Sequence, residues 1–157
     1  HPLYSVAVVL AGFLVFAGLG SHYSENLAVA FETRGRSAVR VAVLGIVLLV
    51  LSYLVLLPWI FTQFMGEPDL LRIVVTLVAI APLAFFMGLP FPLGLRYAAS
   101  HAPGFIPWAW GINGFASVIS ATLATLLAIE LGFTAVLLMA LIFYFLASTL
   151  LRCLPNT

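Results

Sequence analysis

Between residues 41 and 61 the chain reads VAVLGIVLLVLSYLVLLPWIF, without one charged side chain. As a helix rising 1.5 Å per residue, such a run is about 30 Å long, the thickness of a bilayer's hydrocarbon core. Lipid offers no hydrogen bonds, so a backbone crossing it must satisfy its own polar groups, and a helix does this within one segment. The same reading applies to four more stretches, giving five expected spans at residues 3–20, 39–61, 71–89, 108–131 and 133–151.

Composition extends the constraint to the whole chain. Of 157 residues, 64% are hydrophobic and 7% charged. A soluble domain carries charge on about a quarter of its residues, so no water-facing surface can be built here and the lipid bilayer is the expected partner. The expected fold class is all-α: a polytopic membrane helix bundle forming a single transmembrane domain over residues 1–157. A net charge of +1, without clustered basic residues, argues against nucleic acid as a partner. Cys153 is the one cysteine and cannot form an intrachain disulfide.

The six cationic residues are all arginine, and their placement orients the bundle. Arg34, Arg36 and Arg40 follow the first span, Arg96 the third and Arg152 the fifth. With five alternating spans these fall on one side, and Arg72, Glu67, Asp69 and Glu130 on the other. By the positive-inside rule the arginine-rich side is cytoplasmic, which places the N-terminus outside and the C-terminus in the cytoplasm, as in a bacterial cytoplasmic membrane. The chain opens HPLY with neither a charged n-region nor a small-residue cleavage site, so residues 3–20 do not read as a signal peptide. An odd number of spans starting outside is expected of a piece of a longer chain. One further helix before His1 would complete six spans, the shape of a major-facilitator-type half.

The third span ends in FFMGLPFPLGL, residues 85–95. Pro90 and Pro92 remove backbone donors and block a helix, while Gly88 and Gly94 allow close approach or unusual dihedrals. The plainer expectation is a terminator that turns the chain at headgroup level. The sharper one is a broken helix lining a cavity, as in transporters, and Pro82, deeper in the span, favours a kink.

The fourth span carries Gly111, Gly114, Ser117, Ala121, Ala124 and Ala128 at three- and four-residue spacing. Small residues let backbones approach closely in lipid, so this face is expected to be a packing seam. Asn113, one turn in, is expected to make an interhelical hydrogen bond, with a substrate contact as the sharper reading. Glu130 sits near the outer end, where the plainer reading is a carboxylate among headgroups and the sharper one a proton-coupled role. His1, His22 and His101 are dispersed, no serine has partners for a triad, and no glycine-rich loop follows a strand. The sequence therefore offers no catalytic, cofactor-binding or metal-binding residue.

Three phrases carry a resemblance. HPLY followed by VVL and FAGLGS covers residues 1–21, FFMGLPFPLGLR covers 85–96, and PWAWGINGFASVISATLA covers 107–124. In this order they resemble the multi-spanning membrane region of bacterial fused spermidine-synthase-like proteins. That resemblance implies that a further helix and a soluble Rossmann domain using an S-adenosylmethionine-type cofactor precede His1 in the same protein. It implies an aminopropyltransferase or methyltransferase whose catalytic and cofactor residues all lie in that preceding domain. This chain would anchor the domain at the cytoplasmic face and handle its polyamine-like substrate. A half of a secondary transporter and a purely structural anchor are the alternative readings. The loop ending in Arg34-Gly35-Arg36 also faintly resembles the loop after the second helix of major facilitator transporters.

Overall fold

A computed structural model describes residues 2–32, 37–64, 66 and 68–150. Among them there is helix and no strand: α1 (Pro2–Glu32), α2 (Ala38–Gln63), α3 (Asp69–Met87), α4 (Pro90–His101), a short 3₁₀ turn (Pro103–Phe105), α5 (Ile106–Leu131) and α6 (Phe133–Leu150). Five stretches are long and apolar enough to cross a membrane: Val6–Phe31, Ala38–Gln63, Asp69–His101, Pro103–Leu131 and Phe133–Leu150. The chain is an all-α bundle of membrane-spanning length, as expected. His1, Arg34, Arg36, Glu67, Leu151, Arg152 and Cys153 lie outside the described residues.

Two boundaries differ from the expected spans for physical reasons. The first helix does not stop at residue 20 but continues to Glu32. Nothing between Gly20 and Glu32 breaks a helix, and Gly20, Ser24 and Ala28 recur every four residues on one buried face. At 31 residues, α1 is about 46 Å long, longer than the hydrocarbon core, so its polar last turns reach beyond it.

The second difference lies at the prolines. The helix is interrupted only at Gly88 and Leu89, and residue 89 is where the ring of Pro90 disfavours the helical conformation. The amide of Gly88 is shared between the carbonyls of Ala84 at 3.0 Å and Phe85 at 3.2 Å, closing α3. Pro90 and Pro92 then occupy the first and third positions of α4. The first four amides of a helix have no intrahelical acceptor, so neither proline costs a hydrogen bond there. Gly94 lies within α4, and the helices run through Pro58 and Pro82.

Residues 1–93 and 94–157 form two compact units. In the first, Gly12 faces Leu77 and Ile80 while Gly20 faces Phe85, so α1 and α3 run parallel. Gly45 faces Phe86 and the Tyr53 hydroxyl reaches the Ala79 carbonyl, so α2 runs antiparallel to α3. The buried side of α2 is Ala38, Ala42, Ile46 and Val50, at four-residue spacing, with Val43 beside them. Ala28, Ala38, Ala42, Leu89 and Leu93 form the core, joined by Leu27, Phe31, Val39, Phe85 and Phe86. The core therefore sits where the end of α1, the start of α2 and the α3–α4 junction meet.

In the second unit α5 and α6 form a hairpin. Gly132 turns it with φ +82°, a left-handed value, and its amide caps the Ala128 carbonyl at 3.1 Å. Partial burial on the last two turns of α5 falls at Ala124, Leu127 and Ala128.

Candidate functional site

The polar residues singled out in the sequence sit on one helix and do not converge. Asn113 and Glu130 are 17 residues apart on α5, about 25 Å along its axis, too far to share a small ligand. Both are exposed in this chain. The Asn113 carbonyl accepts the Ser117 hydroxyl at 2.7 Å, while its side-chain amide has no hydrogen-bond partner among the described residues. Glu130 lies one residue before the end of α5, next to the Gly132 turn.

The expected seam on α5 is divided. Ala124 and Ala128, near the turn, are partly buried, whereas Gly111, Gly114, Ser117 and Ala121 are exposed. A methyl group at Gly111 or Gly114 would meet nothing within 4 Å. The hydroxyls on this helix bond back to their own backbone: Ser120 to Ser117 at 3.2 Å, Thr122 to Val118 at 3.4 Å and Thr125 to Ala121 at 2.9 Å. Their donors are thus spent within the helix.

A tighter seam lies between α1 and α3, and the sequence reading did not assign it. A methyl at Gly20 would collide with the Phe85 carbonyl oxygen, and one at Gly88 with the Ala17 carbonyl oxygen. The two contacts are reciprocal, each glycine lying against the main chain of the other helix. Ala84, one turn before Gly88, has 0% exposure. On α2, a methyl at Gly45 would meet the ring of Phe86. The signal is in the sequence: Gly20, Ser24 and Ala28 show on α1 the same spacing as the small residues of α5. It is masked because residues 21–32 are polar enough to read as a loop.

Beyond the spans the chemistry is local. Arg72 and Asp69 pair at 3.7 Å on the surface of α3, an exposed contact worth little. The rings of Tyr97 and His101 stack at 4.1 Å, and His101 Nδ1 lies 2.8 Å from the Ser100 hydroxyl and 3.0 Å from the Tyr97 carbonyl. These groups close the last turn of α4. They lie adjacent on one exposed turn, and no carboxylate among the described residues is bonded to the imidazole. No three His, Cys, Asp or Glu side chains come together among the described residues. In comparison with known proteins, no family model, no curated protein and no solved structure matches this chain.

Proposed function

We propose that this chain is the membrane-embedded region of a larger protein of the spermidine-synthase-like type. In that reading it holds a soluble S-adenosylmethionine-type domain at the cytoplasmic face. One observation carries the anchoring role. The three-helix unit collects the end of α1, the start of α2 and the α3–α4 junction at one end, and packs its core there. Arg40 lies in the first turn of α2 at that end, and the sequence puts Arg34 and Arg36 just before it against Arg72 alone beside the opposite connection, so the best-packed end is the arginine-richer one in sequence. A bundle braced at its cytoplasmic end suits a load carried on that side. The chemistry, aminopropyl or methyl transfer, belongs in this reading to the soluble domain. The membrane region contributes position and, at most, passage for the substrate.

The test is the reading frame upstream of the codon for His1, followed by cofactor binding. The expected result is one further span preceded by a βαβ domain with a glycine-rich first turn. The whole protein, purified in detergent, should then bind S-adenosylmethionine or its decarboxylated form by calorimetry. A second six-span bundle with no soluble domain would overturn the proposal in favour of transport.

A further inference from the structure

Pro82 sits in the body of α3, where it has no amide to donate to the Val78 carbonyl and its ring crowds that same oxygen. Val78 and Pro82 lie one turn apart on the exposed side of the helix, so the missing rung is on the outer face. Ala79 and Leu83, next to them, are partly buried. There the Tyr53 hydroxyl of α2 donates to the Ala79 carbonyl, the acceptor adjacent to the orphaned one. The hydroxyls of α5 bond back within their own helix, whereas this one crosses between helices 26 residues apart in sequence. Membrane helices tolerate proline because neighbouring groups satisfy the loosened backbone, and kinks concentrate at such positions.

We propose that Pro82 is a hinge in α3 and that the Tyr53 hydroxyl is its latch. The half of α3 beyond the hinge carries Phe85 and leads to Gly88 in the break before α4, the two residues whose main chain meets α1. With the latch made, residues 83–87 are held where Gly88 meets the Ala17 carbonyl. With it broken, the hinge opens and this segment moves against the first half of α3. The latch thus couples α2 to the position of the α3–α4 junction.

Hydrogen–deuterium exchange of the whole chain in lipid nanodiscs tests this, read on peptides covering residues 79–89. Tyr53→Phe keeps the ring and removes only the donor. It should speed exchange of the amides at 83–87 about fivefold, the equivalent of one ordinary hydrogen bond, and leave α5 unchanged. Pro82→Ala restores the rung to Val78, so the Tyr53→Phe effect should vanish in the double variant. Pro82→Leu serves the same purpose if Pro82→Ala accumulates poorly. No change in Tyr53→Phe would overturn the latch. An equal effect with and without proline would overturn the hinge, because the bond would then only fasten α2 to α3.

Discussion

A glycine in mid-helix costs about 1 kcal/mol relative to alanine, so a helix holding one for no reason should gain from its replacement. The glycines here divide by what a methyl would meet. Gly20 and Gly88 each face a main-chain carbonyl of the partner helix, which cannot rotate away. Gly20→Ala and Gly88→Ala are expected to destabilise the three-helix unit by about 2 kcal/mol each, the scale of overpacking in a filled core. They should be strongly non-additive, since both act on one crossing. Gly18, two residues from Gly20, has nothing within 4 Å of a methyl. Gly18→Ala should be neutral or slightly stabilising. Reversible unfolding in mixed detergent micelles compares the three, and a cost at Gly18 matching that at Gly20 would remove the seam as the explanation. Gly114 behaves like Gly18 in this respect, and Asn113 makes no side-chain hydrogen bond among the described residues. Gly114→Ala and Asn113→Ala should therefore each leave the stability of the chain within about 0.5 kcal/mol. A larger loss at either would mean that the open face of α5 is covered in the working protein.

Hydropathy reads elements well where lipid is the only neighbour and poorly where a helix leaves it. The spans at 39–61 and 133–151 were legible because an apolar run of that length has one stable conformation in a bilayer. The extension of α1 was not, because Ser21, His22, Ser24, Glu25 and Asn26 lower the hydropathy while Leu27, Ala28 and Phe31 keep a helical face. That face is read from four-residue spacing rather than from apolarity. At the prolines the expected interruption is present, since α3 ends at Met87, but the chain resumes helix at Pro90, where the missing amides are no loss. Which glycines meet which helix was legible to neither rule, since spacing along one helix does not name its neighbour. The extension makes a sharp prediction. Ala28 is 1% exposed within the core, so Ala28→Pro removes an intrahelical bond and inserts a ring into a filled space. It should cost about 3 kcal/mol or more, whereas in an irregular loop it would cost little. Circular dichroism and thermal unfolding in micelles measure the difference. Unchanged helicity and stability would return residues 21–32 to a loop.

At the scale of the whole molecule the helix directions fix which connections share a side, and charge selects the side. Because α1 and α3 run parallel and α2 antiparallel to α3, Ser37 and the α3–α4 junction lie at one end of the three-helix unit and Gly66 at the other. Packing alone cannot say which end meets the cytoplasm. On the positive-inside expectation it would be the arginine-richer end, because moving a guanidinium across the hydrocarbon core is costly and cytoplasmic loops retain the excess. Arg34, Arg36 and Arg40 flank Ser37 in sequence, and only Arg72 lies near Gly66. Single cysteines placed at Ser37 or Gly66 on a Cys153→Ser background read this out with a membrane-impermeant maleimide on bacterial cells. Gly66→Cys should label in intact cells and Ser37→Cys only after permeabilisation. The reverse pattern would invert the orientation and move the braced end of the bundle outside, where it could not carry a cytoplasmic domain. Labelling of both from outside would mean that α2 does not cross. The positions are informative together because a single helix of 26 residues, Ala38–Gln63, separates them. At about 39 Å that helix is long enough to cross the hydrocarbon core once and too short to cross it twice.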